Sequence, residues 1–449
     1  MGKELFGTDG IRGEAGSFPL DRETIYAFGV ALGDDIQATQ CTRTDPPQVL
    51  IGADTRESGP WIAELVAGGI GSRGVGVCYA GVITTPGVAY LTRTGPFAAG
   101  VMISASHNPF QDNGIKVFSH SGFKLPDAEE DNIEREIFQL RRQGVEPQPA
   151  SLEVDKGFAE AYLAFLASTT PVTFEGLRIV VDCGNGAASH LAPELLRRLG
   201  AKVTVLCAEP NGRNINLNCG ALHIEALRAA VLSEHADAGV AFDGDADRAI
   251  FVSASGKTID GDSVLLAAAR ALHAMGRLGR DVVATVMSNL GLEKALEREG
   301  IRLVRTPVGD KYVLEEMVRI NAVLGGEQSG HVIFREYATT GDGMLTAIQV
   351  LTIAQQARAS LDELTAGLEV FPQRLVNVRV REKVALSEVP AVAKEIRRAE
   401  QEFAGAGRIL VRYSGTEPLA RVMVEGPDLD HVEVVTARIA DAIRRELGA

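Results

Sequence analysis

The sequence lacks the features that would tie it to a membrane, to nucleic acid or to an oxidising compartment. No apolar run approaches the roughly 18 residues of a membrane span, and the first residues lack a signal-peptide core. The 45 basic residues are outnumbered by 59 acidic residues, which gives a net charge of -14. The chain therefore lacks the basic surface that binding to nucleic acids or anionic membranes needs. The five cysteines form no C-x-x-C pair, which favours buried, reduced thiols. We therefore expect a soluble, cytoplasmic protein that binds neither nucleic acid nor membranes.

Strand-like apolar runs alternate with helix-period segments along most of the chain, which indicates an α/β fold with crossover connections. The pattern of apolar and polar residues changes near Ser151, Ser253 and Phe371, and 449 residues are too many for one hydrophobic core. The predicted domains are residues 1–151, 152–252, 253–370 and 371–449. The last of them has two strands and an amphipathic final helix, which predicts an α+β unit.

The stretch Gly100–Lys116 begins as an apolar run typical of a buried strand and becomes polar where that strand should end. Pro109 is expected to end the strand, because proline has no N–H to donate and disfavours helix at the residue before it. Ser106 then presents a hydroxyl at the carboxyl edge of a sheet, where open α/β folds bind their ligands. Ser106 is the candidate nucleophile.

A second strand, Ala238–Phe242, leads directly into Asp243, Asp245 and Asp247. In extended backbone these alternate positions project three carboxylates to one side. Oxygen ligands of this kind suit Mg²⁺, whereas Arg248 stands where a calcium-binding loop needs its turn glycine. The alternative is a solvated acidic turn, but three carboxylates without a cation would repel one another. The sequence therefore predicts a magnesium site.

The segment Arg412–Pro418, between two predicted strands, combines arginine, hydroxyl groups and loop N–H groups in a plausible phosphate cradle. An ordinary turn with an exposed arginine is the alternative. The candidate phosphate ligands are Arg412, Ser414, Gly415, Thr416 and Arg421.

Three further loops carry polar groups suited to a sugar. Glu327 and Ser329 can hydrogen-bond sugar hydroxyls, and His331 can exchange a proton near neutral pH, although a lone histidine is often a packed structural residue. Gly309 and Asp310 can orient a sugar or simply begin a helix. Arg12 places a cation in a glycine-rich turn that can equally be a structural hairpin.

Taken together and in this order, the motifs resemble those of the α-D-phosphohexomutase superfamily, and their details point to its glucosamine branch. The matching segments are Phe6–Gly13, Ile103–Asn113, Asp243–Arg248, Gly326–His331 and Arg412–Pro418. The resemblance implies three related α/β domains and a C-terminal helix-and-sheet domain around a central cleft. The chain departs from the pattern at Ala246, where relatives frequently have glycine; the methyl group matters only if the backbone there needs a positive φ angle.

The resemblance also implies the roles of the site residues. Ser106 would be a phosphoserine that, with Asp243, Asp245 and Asp247, holds one Mg²⁺ per chain. Glu327 and Ser329 would bind sugar hydroxyls, with Gly309 and Asp310 beside them. The five candidate phosphate ligands would hold the substrate phosphate that does not react.

The activity implied is interconversion of glucosamine 6-phosphate and glucosamine 1-phosphate through glucosamine 1,6-bisphosphate, which is also the primer. Arg12, Arg248 and Lys116 would supply positive charge. The base would be His331 or Lys116, the latter only if neighbouring cations lower its pKa. The alternatives are a mutase of glucose or mannose phosphates with the same mechanism, a metal-dependent phosphatase, and a non-catalytic sugar-phosphate sensor. The protein would act as a monomer or homodimer.

Overall fold

The computed structural model describes residues 4–7, 9–39, 46–414 and 418–449. The strands are β1 Phe6–Gly7, β2 Gly10–Glu14, β3 Gln48–Ala53, β4 Gly76–Val82, β5 Phe97–Ile103, β6 Asp112–Ser119, β7 Arg178–Asp182, β8 Lys202–Leu206, β9 Ala238–Phe242, β10 Ala249–Ser253, β11 Thr258–Ile259, β12 Asp281–Thr285, β13 Arg302–Thr306, β14 Leu324–Gly326, β15 Val332–Phe334, β16 Gln373–Arg379, β17 Arg408–Tyr413 and β18 Leu419–Glu425.

The helices alternate with these strands over most of the chain, as the sequence predicts. They are α1 Arg22–Thr39, α2 Gly59–Gly71, α3 Thr85–Thr94, α4 Asp127–Gln143, α5 Gly157–Ser168, α6 Ala188–Arg198, α7 Glu225–Ser233, α8 Gly261–Ala274, α9 Leu290–Arg298, α10 Asp310–Ile320, α11 Gly343–Ala357, α12 Leu361–Leu364, α13 Pro390–Phe403 and α14 Leu429–Leu447. None of the helices in the described ranges is long and apolar enough to cross a bilayer.

The chain divides into two compact units, Met1–Met287 with Leu303–Ala366, and Ser288–Arg302 with Gly367–Ala449. The first unit contains sheets with the strand orders β1-β2-β6-β5-β3-β4, β11-β10-β9-β7-β8 and β13-β12-β14-β15. In each of them parallel strands are joined to antiparallel neighbours, so the mixed α/β class is confirmed. The domain boundaries near residues 151, 252 and 370 stay predictions.

The first sheet brings the ends of two buried strands together. All seven residues of β5 are buried, and β5 runs parallel to β3 with Ile103 opposite Ala53. The polar residues that follow both strands therefore meet at one edge of the sheet. The strand β5 ends at Ile103, six residues before Pro109, so the prediction that Pro109 ends it is wrong. A turn in which Asn108 donates its N–H to the Ala105 carbonyl takes over instead.

The second unit contains the helices and the sheet predicted at the C-terminus, together with Ser288–Arg302. Its antiparallel sheet has the order β16-β18-β17. The predicted stripe on the last helix is buried in full: Val432, Val435, Ile439, Ile443 and Leu447. Helices α13 and α14 cover this sheet, because the apolar residues of α14 and the buried valines of β18 share one core.

Candidate active site

Ser106 lies in a tight, buried turn just beyond the carboxyl end of β5. Its backbone has φ +52°, a left-handed conformation that is uncommon for a residue other than glycine. Its Oγ donates to Asp243 Oδ2 at 2.5 Å and lies 3.4 Å from His107 Nδ1. Strained backbone of this kind persists only where the surroundings hold it, and it is frequent at active sites. The candidate nucleophile therefore faces the acidic cluster directly.

Asp243, Asp245 and Asp247 lie in the turn between β9 and β10, and their oxygens converge within 4.8 Å of one another. The backbone is a turn rather than the extended segment that we predicted, because Ala246 adopts φ +55° and its N–H donates to the Asp243 carbonyl. Ala246 thus occupies the conformation that favours glycine, and the condition attached to this departure is met. The three carboxylates therefore converge because the backbone turns, and not because alternate residues of an extended strand face the same side.

The acidic cluster has the properties of a site for a hard divalent cation. All three side chains are buried, and Oδ1 of Asp245 and Oδ1 of Asp247 accept no hydrogen bond from any described residue. Burial, and next the negative charges of Asp247 and Asp245, raise the pKa of Asp243 well above its usual range. A cation would relieve this repulsion, and carboxylate oxygens are the ligands that Mg²⁺ prefers. The residues present therefore fit the metal implied by the sequence.

Lys116, on β6, is an ion-pair partner of this cluster. Its Nζ lies 2.8 Å from Asp245 Oδ2, 3.1 Å from Asp9 Oδ2 and 3.7 Å from Asp247 Oδ2. Burial alone would lower the pKa of Lys116, but these carboxylates raise it above its usual value. The condition for Lys116 as a base, a pKa lowered by neighbouring cations, is not met. In this arrangement it is a fixed positive charge.

His331, directly before β15, has both ring nitrogens engaged. The Gly341 N–H donates to Nε2 at 2.9 Å, and Nδ1 lies 3.7 Å from Asp247 Oδ2. Burial lowers the pKa of the ring, but Asp247 outweighs burial and raises it to about 9. Because Nε2 accepts the Gly341 N–H, this hydrogen bond requires Nε2 to carry no proton. The geometry therefore fits a neutral ring that is protonated on Nδ1. In neither charge state does a nitrogen offer a lone pair to a sugar hydroxyl, which argues against His331 as the base.

Arg12 and Arg248 approach the Ser106 turn from two sides. Arg12 pairs with Asp9 and donates to the Ala105 carbonyl at 3.5 Å. Arg248 Nη1 lies 3.3 Å from His107 Nδ1, and its backbone N–H donates to Asp243 Oδ1 at 3.1 Å. Both cations therefore lie where a phosphoryl group on Ser106 would place negative charge.

The predicted sugar loops also meet within the first unit. Glu327 Oε1 accepts the Gly309 N–H at 3.1 Å, and Ser329 Oγ donates to Glu327 Oε2 at 3.3 Å. Asp310, the first residue of α10, is bound by Lys124 at 2.6 Å. Four of the predicted sugar ligands thus form one cluster, as they must if they bind the hydroxyl groups of the same sugar.

Lys124 and Asp9 connect that cluster with the N-terminal hairpin, and sequence reasoning missed both. Lys124 Nζ donates to Asp9 Oδ1 and to Asp310 Oδ2, each at 2.6 Å. Asp9 also forms ion pairs with Lys116 and Arg12. Asp9 stands in the quoted N-terminal motif, but Lys124 is an isolated lysine in a loop, and nothing in the sequence pattern singles it out.

A buried polar scaffold beneath the Ser106 turn was also missed. Arg56 is fully buried and uses its five N–H groups on the carbonyls of Ser106, Asn108, Pro109 and Asp112 and on the carboxylate of Asp54. Asp54 in turn accepts the hydroxyl of Ser104 at 2.6 Å, and Ser104 Oγ accepts the Ser106 N–H at 2.9 Å. The signal was present: Asp54 and Arg56 follow a buried strand at the same sheet edge. Ser104, two residues before the candidate nucleophile, is part of this scaffold.

The candidate phosphate ligands belong to the second unit. Arg412 on β17 and Arg421 on β18 lie opposite each other in the sheet, and Arg421 Nη2 donates to Ser414 Oγ at 3.3 Å. Burial and the charge of Arg421 lower the pKa of Arg412. Like charges directly opposite each other destabilise a sheet unless an anion compensates them, which fits phosphate binding. Gly415 and Thr416 lie outside the described residues.

Comparison with known proteins gives family matches along the chain. Models of the phosphoglucomutase/phosphomannomutase α/β/α domains I, II and III match residues 3–143, 158–256 and 260–371, and the C-terminal domain model matches 375–442. The chain is 68% identical to a curated protein of Solibacter usitatus named phosphoglucosamine mutase, over 100% of both chains. It is 50% identical to a protein of the same name from Koribacter versatilis, over 99% of this chain and 98% of that one.

Solved structures share the fold at lower identity. A phosphoglucomutase/phosphomannomutase family protein from Burkholderia thailandensis superposes with a TM-score of 0.79 at 24% identity, over 98% of this chain and 99% of that chain. The N-acetylphosphoglucosamine mutase of Aspergillus fumigatus, in complex with GlcNAc-6P and magnesium, gives a TM-score of 0.65 at 18% identity, over 98% and 96% of the two chains.

Proposed function

We propose, from the premise that this chain belongs to the phosphoglucomutase/phosphomannomutase family, that it interconverts glucosamine 6-phosphate and glucosamine 1-phosphate. One observation carries the chemistry: the buried Ser106 hydroxyl lies 2.5 Å from Asp243 in a cluster of three carboxylates. The amino sugar is supported by the full-length relatives named phosphoglucosamine mutase, one of them 68% identical. A mutase of the isomerase class, acting on a small sugar phosphate, is the activity that joins these observations.

In the proposed reaction Ser106 carries a phosphoryl group before the substrate binds. The bond between Ser106 Oγ and phosphorus breaks as O1 of glucosamine 6-phosphate forms a bond to the same phosphorus, which gives glucosamine 1,6-bisphosphate. The bisphosphate then turns, and Ser106 Oγ takes the phosphoryl group from O6, which releases glucosamine 1-phosphate. O1 gives up its proton to solvent in the first step and O6 takes one up from solvent in the second, so no proton is gained or lost over the cycle. The bisphosphate therefore serves as intermediate and primer.

The protein's contribution is placement and charge rather than covalent chemistry beyond Ser106, because phosphoryl transfer passes through a loose transition state. One Mg²⁺ on Asp243, Asp245, Asp247 and an oxygen of the Ser106 phosphoryl group would supply positive charge to the group in transfer. Arg12, Lys116 and Arg248 add fixed cations, and His331 holds Asp247 in place. This division gives Lys116 and His331 electrostatic roles.

The remaining predicted ligands are assigned to the substrate. We assign sugar hydroxyls to Gly309, Asp310, Glu327 and Ser329. The phosphate that is not transferred is assigned to Arg412, Ser414, Gly415, Thr416 and Arg421. Because a 1,6-bisphosphate has a phosphate at each end, one set of phosphate ligands can serve both orientations of the intermediate. The protein is proposed to work in the cytoplasm as a monomer or homodimer.

A substrate panel tests the proposal. Phosphorylated protein with a trace of the bisphosphate is given glucosamine 6-phosphate, glucose 6-phosphate or mannose 6-phosphate, and products are followed by ³¹P NMR. We expect kcat/KM for the amino sugar to exceed the others by at least roughly tenfold, which corresponds to about 1.4 kcal/mol in the transition state. A preference for a neutral hexose would instead assign phosphoglucomutase or phosphomannomutase activity, and net release of inorganic phosphate would assign a phosphatase.

A further inference from the structure

A second group of metal-ligand side chains lies in the β7–β8 region of the second sheet and is not used by the proposed reaction. Asp182 ends β7, Cys207 directly follows β8, and Cys219 lies in the loop before α7. One carboxylate oxygen and the two sulfur atoms lie within 4.8 Å of one another. The two cysteines are separated by 12 positions and match no spacing motif, so only the fold brings them together.

The loops around this group are built on the carboxylate. Asp182 Oδ1 accepts the Gly184 N–H at 2.9 Å, and Oδ2 accepts the Gly220 N–H at 3.0 Å. Both glycines have positive φ angles, which lets the two loops turn tightly about Asp182. Each carboxylate oxygen has a second lone pair, and the Cys207 thiol also hydrogen-bonds to this carboxylate, a contact that an ion bound to both groups would replace. The carboxylate is thus held in one orientation and still has capacity for a further ligand.

The sulfur atoms are similarly placed for a ligand. Asn185 Nδ2 donates to Cys219 Sγ at 3.7 Å, a contact of the kind that orients a metal-bound thiolate. Cys219 is buried, whereas Cys207 is half-buried and lines an open cavity of about 1070 Å³ together with Asn185 and Asn214. An ion can therefore reach the group from the cavity, and a water molecule can complete its coordination.

We propose that Asp182, Cys207 and Cys219 bind a thiophilic divalent cation such as Zn²⁺, at a site separate from the three aspartates beside Ser106. Thiolates select soft and borderline metals over Mg²⁺, and three protein ligands with one water complete a tetrahedron. The binding step is balanced: the two S–H bonds break, two protons leave to solvent, and two sulfur–metal bonds form. Two thiolates and one carboxylate then leave the occupied site with a net charge of −1.

The site is continuous with the structure that carries Ser106. Gly184 and Gly220 pack against the Phe242 carbonyl, directly before Asp243. Between the two cysteines, Asn216 donates its side-chain N–H to the carbonyl of Ser106 at 2.9 Å. A bound ion would fix the loop that holds Asn216, so we expect it to raise the thermal midpoint of the whole first unit.

Cobalt titration of the full-length, reduced protein in excess Mg²⁺ tests the proposal. Co²⁺ bound to thiolates gives a sulfur-to-metal charge-transfer band that Co²⁺ on carboxylates lacks. We expect the band to saturate at one equivalent of Co²⁺, to disappear when Zn²⁺ is added, and to appear with release of about two protons. Cys207→Ser, at a half-exposed position, should lose the band. Cys78→Ser, a cysteine on β4, should keep it.

Three results of the cobalt titration would overturn the proposal. They are the absence of a thiolate band in the parent protein, a band of parental strength in Cys207→Ser, and loss of the band in Cys78→Ser. A loss of two titratable thiols without metal would also overturn it, because it would show a disulfide between Cys207 and Cys219. Circular dichroism and a second variant, Cys207→Ala, separate loss of the site from loss of the fold.

Discussion

Replacing Arg56 by lysine should impair both the stability of the protein and the placement of Ser106. Arg56 satisfies five acceptors with five N–H groups, whereas a lysine ammonium has three N–H groups on one nitrogen. At least two acceptors therefore lose their donor. A buried acceptor without a donor costs about 1–3 kcal/mol, so the loss lies between about 2 and 6 kcal/mol.

The lower end of that range is favoured by the neighbours of the loop. Asn216 also donates to the carbonyls of Ser106 and Asn108, so these two oxygens keep one hydrogen bond each in the variant. Asp54 keeps a cation beside it, which avoids the larger cost of an unpaired buried charge. We therefore expect Arg56→Lys to lose about 2–3 kcal/mol of unfolding free energy.

The effect on catalysis should appear in kcat rather than in KM, because Arg56 contacts the Ser106 turn and none of the predicted sugar ligands. A displacement of a reacting group by about 1 Å can cost on the order of a hundredfold in rate. Urea unfolding and steady-state kinetics of the phosphorylated protein measure the two effects. The matched control is Arg213→Lys, an exposed arginine paired with Glu57, which should stay within about 0.5 kcal/mol of the parent. If Arg56→Lys matched this control in stability and kcat, the scaffold would have no positioning role.

Three further predictions concern single side chains. Ser106→Ala should abolish turnover and leave binding of glucosamine 6-phosphate by calorimetry largely intact; near-normal turnover would refute the phosphoserine mechanism. Ala246→Gly should unfold within about 1 kcal/mol of the parent, because relief of the φ +55° backbone is offset by the greater freedom of glycine in the unfolded chain. Burial raises the pKa of Asp342, the buried residue directly before α11, to about 6, which lies above its unfolded value; stability should therefore fall as the pH rises from about 4 to about 6, by about 3 kcal/mol. Asp342→Asn should remove that part of the pH dependence in urea unfolding; an unchanged profile would contradict it.

The elements that the sequence predicts best are those whose pattern is local. The strands at 408–413 and 419–425 and the acidic loop after Phe242 lie where alternation, apolar runs and charge placed them. The resemblance to a family then gave each motif an expected role. The location of the Ser106 turn at a sheet edge could be predicted because parallel strands present their carboxyl ends at one edge of a sheet.

The features that escaped prediction depend on contacts between distant segments. In the sequence Arg56 is a single arginine after a strand, and four of its five acceptors lie about fifty residues away in the chain. The positive φ of Ser106 and Ala246 is set by the turns around them, not by their side chains. Lys116 and His331 look like candidate bases in the sequence, but their carboxylate neighbours determine their protonation, and those neighbours come from distant segments of the chain.

Charge balance links the proposed phosphoserine to the proposed metal more closely than the motifs do. Beside Ser106, the carboxylates of Asp243, Asp245 and Asp247 face two permanent cations, Lys116 and Arg248, and His331 lies against Asp247. A phosphoryl group on Ser106 adds a charge of about −1.5 to −2, which the two cations alone cannot offset. A divalent cation restores the original balance. Each of the two therefore lowers the electrostatic cost of the other, and the phosphorylated protein should bind Mg²⁺ more tightly than the unphosphorylated one.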